Sequence, residues 1–515
     1  MRDQMCDANE RAAGARLAGL LPLLFLLFAT IGGCRSAESG GSSDEARRDE
    51  RPPNIVYILA DDLGYGEVGC YGQTKIRTPH LDRMAEEGIR FTQHYAGSPV
   101  CASSRCTLLT GLHTGHAYVR DNHEVGGWGP DEPEGQLPLP AGTLTIQSML
   151  HEAGYATGCV GKWGLGGPGS SGHPNRQGFD FYYGYLCQRV AHNFYPTHLW
   201  KNEEKERLGN EYFRAHQRLP EDADVNDPEV YAPYTGTVYS QDRLAEEALA
   251  FIRRHRDEPF FLYVPFTVPH AAIQVPEDSL AEYEGAFEET PYRGQKGYLP
   301  HPKPRAGYAA MVTRMDREIG RILDLLQELG LDDDTLVMFS SDNGPTYNGG
   351  TDSEFFESAG PFRGRKTYLY EGGIRVPMIA RWPGHIEPGR VTDHVSAFWD
   401  VLPTCAEVAG VEVPGRTDGI SFLPTLEGRA GQREHASLYW EFHGRKSQAV
   451  RLGKWKGIRT GLKKDPDAPV VLYDLEADIA ESTDVAGDHP EVVARIEAVL
   501  RSREPAHLEK WDFEN

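Results

Sequence analysis

The chain is short of positive charge: 53 Lys and Arg face 76 Asp and Glu, a formal net charge of −23. That deficit argues against nucleic acid and against anionic membrane surfaces as partners, because both need a basic footprint. Cysteine is scarce too, with eight residues (Cys6, Cys34, Cys70, Cys101, Cys106, Cys159, Cys187 and Cys405) and no C-x-x-C pair. Neither a disulfide framework nor a zinc site is indicated, although one or two disulfides remain open. No repeat of 20 to 50 residues recurs, which sets solenoids and propellers aside. What is present, 39% hydrophobic and 10% aromatic residues over 515 positions, is enough for a deep core in a globular chain, with two subdomains expected.

Near the N-terminus the mostly apolar run Leu17 to Ile31 follows Arg11 and Arg16. It is too short to span a bilayer, which takes about 20 residues, and reads as an export leader. Ile31-Gly32-Gly33-Cys34 has the form of a bacterial lipobox, so residues 1–34 are expected to be a leader of lipoprotein type. The mature protein would then be periplasmic or lipid-anchored through Cys34 at the outer membrane; an ordinary cleaved leader is the alternative. Residues 35–52 turn to Ser, Gly, Glu and Arg, a flexible tether.

The run Asn54 to Ala60 is a short apolar segment ending in Asp61 and Asp62, the pattern of a buried strand entering a loop. Similar strands are expected at Tyr155 to Val160, Phe260 to Phe266, Thr335 to Ser341 and Val376 to Arg381. Helical spacing lies between them at Thr78 to Gly88, Leu144 to Ala153, Gln241 to His255 and Tyr308 to Leu329. This alternation predicts an α/β fold with a mostly parallel sheet flanked by helices, over residues 53–430. Past about residue 430 short strands at 438–442, 449–451, 455–458 and 471–474, then a helix at 490–503, predict a small antiparallel-sheet subdomain over residues 431–515. The polar stretch Trp200 to Asp227 reads as an insertion or loop. The aromatic segment from Phe179 to Trp200 fits either a sugar-stacking pocket or core.

In such sheets ligands bind beyond the carboxyl ends of the strands. Asp61 and Asp62 sit at one such end, and Asp342-Asn343-Gly344 at another. Four oxygen-bearing side chains without sulfur or imidazole suit Ca2+ or Mg2+, and the lack of an enforced octahedron favours Ca2+. In Cys101-Ala102-Ser103-Ser104-Arg105-Cys106-Thr107-Leu108-Leu109-Thr110-Gly111, Cys101 and Arg105 are one helical turn apart and share a face. An anion there would meet both the helix dipole and the guanidinium.

This run resembles the signature of type I sulfatases in the alkaline phosphatase superfamily, C-x-P/S/A-x-R-x-x-x-L-T-G, whose Cys is oxidised to formylglycine. The commonest form has Pro where this chain has Ser103. Gly161-Lys162-Trp163-Gly164-Leu165-Gly166 resembles the family's G-K-W-H-L-G, with Gly164 in the place of its His; His192 is a candidate to fill that space. Val268-Pro269-His270 follows a strand, and Phe362 to Pro377 resembles the second signature, G-x-K-x-x-x-x-E-G-G-x-R-V-P, whose lysine falls on Lys366.

The resemblance implies an alkaline-phosphatase-like fold, Ca2+ on Asp61, Asp62, Asp342, Asn343 and the modified Cys101, and catalytic or sulfate-holding roles for Arg105, Lys162, His270 and Lys366, with His192 as a substrate contact. A formylglycine maturation enzyme is then an obligatory partner. The implied reaction is hydrolysis of sulfate esters, on a sulfated saccharide or an aryl sulfate. Two rivals stay open: a phosphonate or phosphodiester hydrolase of the same superfamily, and a non-catalytic sulfated-glycan-binding lipoprotein. Since the chain is acidic and the substrate anionic, the pocket must be locally basic.

Overall fold

The computed structural model describes residues 51–513; the leader, Cys34 and nearly all of the tether lie outside them. Eleven strands form the main sheet: β1 (Asn54–Ala60), β2 (Ile89–Tyr95), β3 (Ala156–Lys162), β4 (Phe181–Tyr185), β5 (His198–Lys201), β6 (Glu204–Arg207), β7 (Phe260–Pro265), β8 (Thr335–Ser341), β9 (Arg375–Arg381), β10 (Arg390–Thr392) and β11 (Ser396–Ala397). Their order is β10-β2-β9-β8-β1-β7-β3-β4-β5-β6, with β11 also on β2. The centre, β8-β1-β7-β3-β4, is parallel, while β9 is antiparallel to both its neighbours.

Strand β1 shows why its sequence is an unbroken apolar run. Val56, Ile58 and Ala60 point into one core and Ile55, Tyr57 and Leu59 into the other, so neither face meets water. Each such aliphatic contributes roughly 1.5–3 kcal/mol on burial. On the first face pack α1 (Pro79–Glu86), α4 (Ser240–Arg254) and α5 (Pro304–Glu328), through residues such as Met84, Leu244 and Ile319. On the second pack α2 (Cys101–Thr110), α3 (Ile146–Glu152) and α6 (Val401–Val408), through Leu109, Met149 and Leu402. Among the described residues no helix is long and apolar enough to cross a membrane.

A second sheet, β12 (Leu438–Phe442), β13 (Ser447–Leu452), β14 (Trp455–Arg459) and β15 (Val471–Asp474), is antiparallel in that order, and α7 (Pro490–Leu500) packs Val492 and Ile496 against its Val450 and Leu472. It is fastened to the main sheet by buried polar contacts: Trp440 Nε1 donates to the Ala96 carbonyl at 2.9 Å, and Lys456 Nζ lies 2.7 Å from Glu371 and 3.1 Å from Glu481.

Three points left open or coarse in the sequence are resolved. Phe179, Phe181 and Tyr182 are buried, and β4 carries the latter two inside the sheet, so these rings are core and not a sugar platform. The stretch after Trp200 opens as a paired β5–β6 hairpin; Glu204–Arg207 is a charged strand at the sheet edge, a composition that discourages further pairing. All six cysteines among the described residues are free thiols.

Candidate active site

The carboxyl ends of β8, β1, β7 and β3 open side by side at one rim. Because Ala60 pairs with Ser341, the chains leave β1 and β8 together. Asp61 and Asp342 are therefore neighbours, and Asp62 N–H donates to Asp342 Oδ1 at 3.1 Å. Lys162 is the last residue of β3, and His270 lies beyond β7. Asp62 takes a left-handed backbone, φ 67°, uncommon for a non-glycine residue.

Helix α2 begins at Cys101, so its amino end faces this rim. Cys101 Sγ lies 3.4 Å from Asp61 Oδ1 and 3.6 Å from Lys366 Nζ. Arg105, one turn on, holds Asp342 Oδ2 with Nε and Nη2 and gives Nη1 to the Lys162 carbonyl at 2.6 Å. Lys162 Nζ meets Asp61 Oδ2 at 2.5 Å, and Lys366 Nζ meets Asp62 Oδ2 at 2.7 Å. Ser103 is buried, its hydroxyl bonded to Ser98 Oγ at 2.7 Å, and so fits the first turn without strain.

Three carboxylates and three cations thus meet almost wholly buried. Burial drives Asp61 up, but Lys162, His270 and Arg105 outweigh it and hold the carboxyl well below its usual range. Burial and the Asp61 charge push Asp342 up to about 6 despite Arg105. Burial, then Asp342 and Asp61, raise the Cys101 thiol far above its ordinary value, so the unmodified side chain is a neutral thiol and no nucleophile at pH 7. Burial and Lys366 lower His270 to about 4, and its Nδ1 is hydrogen-bonded to the Ala271 carbonyl.

The residues fit a hard cation. Asn343 donates Nδ2 to Asp62 Oδ1 at 2.7 Å, while its buried Oδ1 has no partner. An orphaned carbonyl oxygen beside a strained carboxylate cluster is what an oxygen-preferring divalent ion would satisfy. Asp61, Asp62, Cys101 and His270 each bring a ligand atom within 4.8 Å of the others. A second group, His113, His116 and Asp418, is also close. There, however, Gly115 N–H donates to His113 Nδ1, which leaves the ring proton on the Nε2 that faces Asp418, and His116 Nδ1 already bonds Asp418 at 2.8 Å. That group satisfies itself.

All ten residues singled out in the sequence fall around this rim. His192 stacks on His270 (centroids 4.7 Å, interplanar angle 13°) and its Nδ1 lies 3.0 Å from His216 Nε2. It does not fill the space at Gly164. A Cβ there would lie 2.6 Å from Gln188 Nε2, so the buried Gln188 amide occupies that space, with neither of its side-chain polar atoms hydrogen-bonded. Gln188, His216 and Tyr298, whose ring lies 5.6 Å from His270, were missed. They come from loops without periodicity. The empty family position at Gly164 was the one available signal, and it did not say which residue compensates. Glu371 and Arg375 pair with each other at 3.1 Å and, through Lys456, tie the rim to the second sheet.

Residues 53–411 match the profile of the Sulfatase family, and residues 362–505 that of the C-terminal region of N-sulphoglucosamine sulphohydrolase. An N-acetylgalactosamine-6-O-sulfatase of Bacteroides thetaiotaomicron is 30% identical, the match covering 95% of this chain and 98% of that protein. A steryl-sulfatase of Mus musculus is 33% identical over 76% of this chain and 67% of its own length. Among solved structures, Ps i-CgsB in complex with k-i-k-neocarrahexaose superposes with a TM-score of 0.70 at 27% identity, covering 88% of this chain and 92% of that one.

Proposed function

The chain belongs to the sulfatase family and is a sulfuric ester hydrolase, and we propose that it desulfates saccharides at the Cys101 pocket. The observation that carries this reading is the convergence on Cys101 of Asp61, Asp62, Asp342 and Asn343 with Arg105, Lys162, His270 and Lys366. The saccharide rests on the relative that matches nearly the whole chain, which acts on a sulfated amino sugar by its name.

In this reading Cys101 is oxidised to formylglycine, whose hydrate supplies both an attacking hydroxyl and a second hydroxyl that can expel sulfate. Asp61, Asp62, Asp342 and Asn343 would hold Ca2+, which when bound would supply Lewis-acid neutralisation of the sulfate. The protein's own residues do the rest. Lys162 and Lys366 bring ammonium groups to a site with three carboxylates and so offset the repulsion an anionic ester would meet. Arg105 fixes Asp342 and the end of β3 in one geometry, which keeps those charges aimed at the reacting centre. Lys366, its ammonium favoured above all by Asp62 once the cost of burial is met, already carries a proton for the leaving alcohol. His270 is neutral until an anionic ester lies beside it and favours its protonated form. The same reading takes residues 1–34 as a lipoprotein-type leader, so that the enzyme works in the periplasm or anchored at the outer membrane.

The test is peptide mass at position 101 in protein coexpressed with a formylglycine maturase, together with sulfate release from a panel of sulfated saccharides and aryl sulfates. Conversion of thiol to aldehyde with sulfate release is expected. A thiol retained in protein from the native host would leave a binding protein. Turnover of phosphonate or phosphodiester substrates in place of sulfate esters would move the reaction centre to phosphorus.

A further inference from the structure

Beside the His270 wall lies a cavity of about 430 Å³ that the chemistry above does not use. Trp128, Arg189, Asn193, Tyr212, Arg214 and His216 line it. Its lining touches the wall of the reaction pocket through His216, whose Nε2 lies 3.0 Å from His192 Nδ1, the ring that stacks on His270.

Its charge is unlike that of the chain. Among the described residues neither Arg189 nor Arg214 forms an ion pair, in a protein where acids outnumber bases 76 to 53. Arg189 instead lies over the Trp128 ring, 5.1 Å from its centroid. The indole Nε1–H of Trp128 is buried and has no acceptor. One acid, Glu132, lines the cavity, and it already accepts from Gly129 N–H at 2.8 Å. Two unpaired guanidinium groups are donors waiting for oxygen. The aromatic faces of Trp128 and Tyr212 suit the apolar face of a sugar ring.

We propose that this cavity is a subsite for a second anionic group, carboxylate or sulfate, on the sugar neighbouring the one that is desulfated. It rests on the saccharide sulfatase reading and narrows the substrate to chains carrying at least two negative charges. Charge-assisted hydrogen bonds from two arginines favour such a substrate by on the order of tenfold to a hundredfold over a neutral neighbour.

The experiment compares, on matured wild-type protein, disaccharides with one cleavable sulfate ester whose neighbouring sugar is neutral, a uronate, or sulfated. A KM at least about tenfold lower for either anionic neighbour is expected, and the two anionic arms tell carboxylate from sulfate. High salt should shrink the difference. In the Arg189→Gln, Arg214→Gln double variant the ratio of kcat/KM between anionic and neutral neighbours should fall to near one. Equal handling of all three by the wild type, or an unchanged ratio in the double variant, overturns the subsite. If no disaccharide is desulfated, the sulfatase reading fails separately, and calorimetric binding of the same saccharides reads the cavity: equal affinity for neutral and uronate forms overturns it there too.

Discussion

Arg105 places Nε and Nη2 on a single oxygen of Asp342, at 3.1 and 2.9 Å, with neither side chain exposed to solvent. Removing one partner of such a pair strands the other charge. Arg105→Ala is expected to destabilise by about 3–5 kcal/mol. Arg105→Lys should recover part of the charge but not the two-point contact. Urea unfolding of both variants decides, and a loss below 1 kcal/mol for the alanine would mean the pair is not held as described.

Asn343 supplies the check on the cation. Calcium should raise the melting temperature, with a stabilisation of about 4 kcal/mol at a thousand times its dissociation constant. Asn343→Leu, which removes the orphaned Oδ1, should abolish most of that shift. The same calcium response in wild type and variant would place the ion elsewhere.

Gly164 takes φ 87°, open to glycine and costly for a side chain. Gly164→Ala should lose about 1–2 kcal/mol through the backbone alone. The Gln188 amide is flexible and can yield, so pairing this change with Gln188→Gly should restore little. Full recovery in the double variant would show that contact, not backbone, governs the position.

His94 reports on acid stability. It is buried among Phe91, Phe398 and Phe422 with Nδ1 on Ser396 Oγ, and burial lowers its pKa to about 3. Its folded value lies below the unfolded 6.5, so the unfolded chain binds the proton first. The neutral ring therefore contributes stability fully above pH 6.5 and progressively less as pH falls toward 3. Between pH 7 and pH 5 this one group accounts for about 2 kcal/mol. His94→Gln should lose that much less over the same interval in unfolding titrations; an identical acid loss would exonerate His94.

Lys456 separates two buried acids, Glu371 and Glu481. Lys456→Met should cost about 3–5 kcal/mol at pH 7.5. Burial raises Glu481 to about 7, so protonation relieves part of that cost in acid, and the deficit should be smaller at pH 5. A deficit that does not change with pH would argue for lost packing instead.

The parallel centre of the fold was legible because its strands are buried on both faces and read as short apolar runs ending in polar ligands; β8 was placed residue for residue at Thr335–Ser341. Strand β2, Ile89–Tyr95, was not seen, since Arg90, Thr92 and Gln93 are only partly buried and break the apolar run. Strand β4 was ambiguous because an aromatic run serves a core and a sugar platform equally well. Eight of the ten candidate residues follow strand ends or sit at one helix start, where motifs single them out, whereas His192 and Lys366 come from connecting segments. Gln188, His216 and Tyr298 reach the site by tertiary folding alone, which no local pattern announces.

Cys101 exposes 2% of its surface, and Lys366, whose Nζ lies 3.6 Å from its Sγ, comes 265 positions later in the chain. An enzyme carrying out the oxidation proposed at position 101 would have no way in once that segment is home. Its opportunity would fall between the emergence of α2 and the arrival of Lys366, so that the order of synthesis, and not the finished surface, would decide whether that change takes place.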